Sequence, residues 1–290
     1  MGAPAFFLAY AAAAAVPYPV ASTAPLKAAE YVVAEDPARL ALHVEFDGAK
    51  GFRVPAFLYM PKGIPGPLPA ILHQYGSGGS KRSKYIVLIA QRFVAAGFAV
   101  LTIDAPGRGE RRPAKKKRVR WVFGNSGRER FLQTCGDYSR AVDYLSGRPE
   151  VDPGRMGFVG TSWGAVTGIV FAAHDPRVRA LASLVGGGGF LRWAGALAPA
   201  NWSRAGLTLP SIDPVDHVGL FAPRPLLLLN VRRDWLVPSP FAVALHRAAG
   251  PGKEVVWVDT DHIFSTVDRE AVADRVAAFM ARGLAARPPG

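Results

Sequence analysis

The pentapeptide Gly160-Thr161-Ser162-Trp163-Gly164 holds a serine between two glycines at G-x-S-x-G spacing. A serine hydroxyl is a weak nucleophile. This spacing activates it only where a strand turns sharply into a helix and presents the hydroxyl at the corner. Residues 155–161 (RMGFVGT) read as a buried strand, and 163–174 as an Ala/Val/Ile-rich helix, so the setting is the required one. Side chains at 160 and 164 would collide with neighbouring backbone at so tight a turn. Ser162 is the candidate nucleophile.

A nucleophilic serine needs a base, and the chain has six histidines. His43 falls in an early strand, His246 within a helix and His217 in an irregular stretch. His174 ends a helix, and His73 ends a strand that leads into a Gly-rich loop. His262, in Asp259-Thr260-Asp261-His262, stands just after the last expected strand. It alone completes the order serine, acid, histidine. The acid is expected after the preceding strand, at Asp234, where it would hold the imidazole in one tautomer. Asp259 and Asp261 are rivals, but a carboxylate so close in sequence to a histidine usually points away from its ring.

Attack on a carbonyl also needs two backbone N–H groups aimed at the developing oxyanion. Trp163, directly after the serine, supplies one. The loop His73-Gln74-Tyr75-Gly76-Ser77-Gly78-Gly79 supplies the other, with Tyr75 as donor and Gln74 as the alternative. Phe190, Trp193, Trp202 and Trp235, with Trp163, are candidates for the wall of a small apolar pocket, and Gln74 is a further candidate substrate contact. Core packing is the competing reading for each aromatic ring.

These residues need a scaffold. Strands are expected at 40–47, 54–60, 69–73, 99–104, 155–161, 178–186, 223–231 and 254–259, and helices at 83–96, 128–147, 163–174, 239–250 and 267–286. Strand and helix alternate along most of the chain, which implies an α/β fold: a mostly parallel central sheet with helices on both faces. The stretch 187–222 breaks the alternation and reads as a short excursion over the sheet's C-terminal edge. Residues 31–290 are expected to form one domain, preceded by an N-terminal segment, 1–30.

Composition narrows the class. The chain has 290 residues, 50% of them hydrophobic and 20% charged, which fits a globular enzyme and not a disordered chain. One cysteine, Cys135, permits no intrachain disulfide, and no cluster of metal ligands or cofactor motif is legible. The formal net charge is +13, with seven basic residues in 111–120 (RRPAKKKRVR). No aromatic interleaving or nucleic-acid motif accompanies that run, so a solvated loop is expected and no nucleic-acid partner. Residues 5–16 (AFFLAYAAAAAV) are apolar but too short to span a bilayer, and no Lys or Arg precedes them. A surface-packed segment and a cytoplasmic protein are expected, with a cleaved export signal as the alternative.

The motifs taken together resemble the α/β-hydrolase superfamily. They are His73-Gln74-Tyr75-Gly76, then Asp104-Ala-Pro-Gly-Arg-Gly109, then Gly154 to Gly164, then Ala222-Pro-Arg-Pro-Leu-Leu227 before Asp234, then Asp261-His262. The chain is most similar to its dienelactone-hydrolase-like and acetyl-xylan-esterase-like branch. The resemblance implies an α/β-hydrolase fold and a serine esterase acting on a small-molecule ester without a cofactor. It implies that Tyr75 occupies the place of an oxyanion-hole tyrosine. It also implies that Asp104 and Arg108 brace the site. Gln74 stands where that branch often has glycine. Ser162 stands where dienelactone hydrolases proper have cysteine, which argues against that particular activity. The competing functions are a peptidase of the prolyl-oligopeptidase type and a non-catalytic binding relative.

Overall fold

The structure is a computed structural model that describes residue 18 and residues 23–113, 125–190 and 212–285. These residues form a nine-stranded sheet. Its strands are β1 (Ala29–Glu35), β2 (Arg39–Asp47), β3 (Arg53–Pro61), β4 (Leu68–Gln74), β5 (Ala99–Ile103), β6 (Val151–Thr161), β7 (Val178–Leu184), β8 (Leu226–Arg233) and β9 (Lys253–Asp261), in the order β1-β2-β3-β5-β4-β6-β7-β8-β9. The first three strands and the β3–β5 pair are antiparallel, and the other pairings are parallel. The helices are α1 (Lys84–Ala95), α2 (Asn125–Ser146), α3 (Trp163–His174), α4 (Ser239–Ala248) and α5 (Arg269–Ala285).

Both faces of the sheet's central strands are covered, which explains their near-continuous apolar runs. In β8, Leu226 and Leu228 join the core under α2, α3 and α4, while Leu227 and Leu229 join the core under α1 and α5. Successive residues of a strand point to opposite faces, so a run of four leucines serves two cores at once. Helix α1 buries Ile86, Ile89, Ala90, Phe93 and Val94, a helical stripe against the sheet. Helix α3 is apolar almost all round because it is buried between the sheet, α2 and a 3₁₀ turn at Val218–Phe221.

Three features differ from the sequence expectation. The sheet starts at Ala29, not near residue 40. Strand β1 lies at the sheet edge with every residue exposed, so it carries no buried alternation to mark it. Strand β6 begins at Val151, with a register shift against β4 at its start. Within 187–222, residues 214–216 and 218–221 form short 3₁₀ turns.

Tyr18, in the N-terminal segment, is buried and donates its hydroxyl to Phe171 O at 2.6 Å. Among the described residues no helix is long and apolar enough to cross a membrane.

Candidate active site

The C-terminal end of β6 runs directly into α3, and Ser162 occupies the corner with φ 55° and ψ −116°. L-residues rarely adopt this backbone state, and strain of this kind persists only where the surroundings over-determine it. Here Ser162 N–H donates to Leu184 O of β7 at 2.8 Å. A Cβ on Gly164 would sit 2.5 Å from Gln74 O and 2.7 Å from Tyr75 O, and one on Gly160 would strike the Gly164 carbonyl. The two glycines let the β4 loop, the turn and α3 touch through backbone alone.

Ser162 Oγ lies 3.0 Å from His262 Nε2. On the far side of the ring, Nδ1 lies 2.8 and 2.9 Å from the two carboxylate oxygens of Asp234. A carboxylate only accepts, so Nδ1–H donates to Asp234 and Nε2 faces the serine hydroxyl as acceptor. Asp234 directly follows β8, and its Oδ1 also accepts from Leu236 N–H at 2.9 Å and Val237 N–H at 2.7 Å. His262 follows β9. Three strand ends thus bring together residues 162, 234 and 262, as the sequence order anticipates.

The rival residues are engaged elsewhere. Asp261 accepts from Ser265 and from Ile263 N–H, and Asp259 faces Arg233. His43 pairs with Glu110, His174 with His217, and His246 with Asn230. His73 is fully buried, and burial pushes its pKa from 6.5 down to about 3. Between those values the unfolded chain binds a proton that the folded chain refuses. Stability supplied by neutral His73 is therefore complete above the unfolded value and lost as pH falls, by about 2 kcal/mol at pH 5. His174, held down to about 4 by burial and by His217, acts in the same direction. The urea midpoint is expected to fall between pH 7 and pH 5, and to fall less in His73→Asn. Equal falls in the two proteins would place the acid sensitivity elsewhere.

The loop after β4 lies against the serine: a Cβ on Gly76 would be 3.1 Å from Ser162 Cβ. Gly76 N–H donates to the Tyr85 hydroxyl at 2.8 Å, which commits it away from any substrate. Beside it, with Gln74 as the alternative, stands the expected donor, Tyr75. Its side chain points away, with the phenol buried and its oxygen accepting from Ala105 N–H at 2.7 Å. Burial raises the phenol's pKa. Gln74 is wholly buried, and neither polar atom of its amide has a hydrogen-bond partner among the described residues.

Nothing in the pattern GSGGSKRSK marks Lys81, yet it ties this loop down. Its side chain is fully buried, with Nζ 2.6 Å from Asp104 Oδ2 and 2.7 Å from Glu110 Oε1. Lys81 N–H and Glu110 N–H also donate to Asp104. Although burial opposes it, hydrogen bonds from Lys81 and His43 hold Glu110 down at about 2. Asp104 thus anchors the loop that carries Lys81. Lys81→Met is expected to strand the Asp104 carboxylate and cost about 3–5 kcal/mol in urea unfolding. A loss below about 1 kcal/mol would mean that water replaces the ammonium.

The other candidate contacts separate. Trp235 is 67% exposed with its ring centroid 6.0 Å from that of His262, so it stands at the rim of the site. Phe190 packs on Phe241 of α4, centroids 4.8 Å apart, and over Gly187. Trp193 and Trp202 lie outside the described residues, as does most of the basic run. Arg111, at the start of that run, turns inward to Asp137 at 2.7 Å, so it is not part of a solvated patch. His43, Glu45 and Glu110 have side-chain atoms close enough to share a metal ion. Lys81 and Arg82 already neutralise Glu110 there, which disfavours a cation.

Comparison with known proteins agrees with this architecture. The Paenibacillus sp. R4 acetyl xylan esterase superposes with a TM-score of 0.70, covering 90% of each chain at 20% identity. The fold is therefore the α/β-hydrolase fold. YtaP of Bacillus subtilis (strain 168) is 29% identical over 204 residues, 64% of this chain and 67% of that protein. Esterase YjfP of Escherichia coli (strain K12) is 26% identical over 197 residues, 63% of this chain and 75% of that protein. A model described as TAP-like protein matches residues 196–288. The model described as Dienelactone hydrolase family matches residues 54–199, which is 146 of the 290 residues, and the chain belongs to that family.

Proposed function

We propose that the protein hydrolyses carboxylic esters, with Ser162 as nucleophile, His262 as general base and Asp234 as the group that orients it. The observation that carries this reading is the unbroken contact from Ser162 Oγ through His262 to Asp234 on a strained strand-to-helix turn. Ser162 Oγ attacks the ester carbonyl while His262 Nε2 takes its proton, and Asp234 stabilises the imidazolium. The tetrahedral oxyanion is held by the N–H groups of Tyr75 and Trp163. His262 returns the proton to the leaving alcohol, and an acyl-enzyme remains. Water then gives a proton to His262 and attacks the acyl carbon, releasing the acid and restoring the serine. The named esterase among its relatives supports the same chemistry.

The acyl group is short. Just beyond β7, which meets Ser162 through Leu184, Gly187 has Val237, Phe241 and Phe190 within 3.3 Å of where a Cβ would lie, tight packing that supports a short acyl group on that side. Along p-nitrophenyl acetate, butyrate, octanoate and laurate, kcat/KM is expected to peak at the two shorter esters. A maximum at laurate would contradict the short-acyl reading. Turnover of aminoacyl p-nitroanilides with no turnover of the esters would contradict the esterase reading itself.

A further inference from the structure

An apolar cavity of about 350 Å³ lies between the N-terminal turns of α1 and α5. Leu88 and Ile89 of α1, Val272 and Val276 of α5, Leu184 at the end of β7 and Phe264 form its walls. Thr161, the residue before the serine, and His262 also line it. So does Tyr85, whose hydroxyl holds Gly76 against Ser162. The cavity therefore adjoins the reacting centre on the His262 side, across the sheet from Phe190 and α4.

We propose that this cavity receives the alcohol portion of the ester and that this alcohol is apolar: a cyclic, branched or aromatic group. The inference rests on the roles given above to Ser162 and His262. Proton transfer fixes where the alcohol goes. The leaving oxygen must come within hydrogen-bond reach of His262 Nε2, so the group it carries departs on the histidine side. The oxyanion donors, Tyr75 and Trp163, hold the carbonyl oxygen, and the acyl group is assigned to the other side, where Gly187 is tightly packed. Volume and lining then select the alcohol. The cavity is at the small end of ligand pockets, enough for a ring-sized group. A sugar or other polyol would turn most of its hydroxyls against Leu, Ile, Val and Phe, with Thr161, Arg269, Tyr85 and His262 as the polar side chains of the lining, and each hydroxyl left unpaired carries a desolvation penalty.

The test holds the acyl group constant. Ethyl acetate, cyclohexylmethyl acetate and a monoacetylated glucose all form the same acetyl-enzyme, so differences in kcat/KM report the alcohol alone. Cyclohexylmethyl acetate is expected to exceed ethyl acetate by about 10³-fold, since five more carbons leave water at roughly fourfold each. The acetylated sugar is expected to gain nothing over ethyl acetate. Leu88→Trp and Ala273→Leu, which fill the cavity from opposite helices, are each expected to collapse the cyclohexylmethyl-to-ethyl ratio toward one. A wild-type ratio near one overturns the proposal. A ratio that both variants leave intact also overturns it. In both those outcomes ester hydrolysis itself survives. Absence of any ester turnover would instead strike the reading on which the proposal rests.

Discussion

Ser162→Ala is expected to lower kcat on p-nitrophenyl acetate by about 10⁶-fold, or about 8 kcal/mol in the barrier, without unfolding the protein. The magnitude follows from how the group acts. Removing the hydroxyl removes the covalent route itself, so His262 and Asp234 are left with nothing to activate. Any residual rate comes from the oxyanion hole and from binding. The structural cost is small. Ser162 is nearly buried, but its only side-chain hydrogen bond among the described residues is the one to His262. The Ser162 N–H bond to Leu184, which holds the corner, is retained in alanine. The check is kcat beside the urea midpoint. A change under about tenfold in a folded variant would remove Ser162 from the mechanism.

Asp234→Asn should cost about 10⁴-fold in kcat, and the hydrogen bonds around it explain why so small a change does so much. Leu236 and Val237 both donate to Oδ1. An asparagine keeps its carbonyl oxygen on those two N–H groups and turns its NH₂ toward His262. Nδ1 must then accept, the ring proton moves to Nε2, and Nε2 can no longer take the proton of Ser162. The variant should regain rate with rising pH as hydroxide substitutes for the missing base. Asp261→Asn is the control. Its exposed carboxylate serves Ser265 and Ile263 and makes no bond to the imidazole, so kcat should stay within about twofold of wild type. If the two variants behaved alike, Asp234 would have no special role.

The chemistry was more legible than its supports. Ser162, Asp234 and His262 are polar residues that follow apolar runs, and a polar residue after an apolar run is visible in the local pattern even where the strand's bounds are not. The G-x-S-x-G corner was legible for a steric reason, since Gly164 must lie against the carbonyls of Gln74 and Tyr75. Strand β1 was not, because an exposed edge strand buries neither face and leaves no period. Lys81 was not, because a lysine in a Gly/Ser-rich loop looks solvated until the chain brings Asp104 and Glu110 around it. The cavity between α1 and α5 was invisible for the same reason: Leu88 and Val272 are 184 positions apart and become neighbours only through the packing of the two helices. The aromatic candidates show the limit from the other side. Residue type alone does not separate Phe190, which packs on Phe241, from Trp235, which stands exposed at the rim of the site.

The most direct test of the central claim is covalent. Diethyl p-nitrophenyl phosphate transfers its phosphoryl group to an activated serine and releases p-nitrophenolate. Intact mass and peptide mapping after treatment should show one diethylphosphoryl group per chain, on Ser162, formed in step with the loss of esterase activity and absent from Ser162→Ala. Complete inactivation with the adduct on another residue, or full activity with Ser162 fully labelled, would contradict the account.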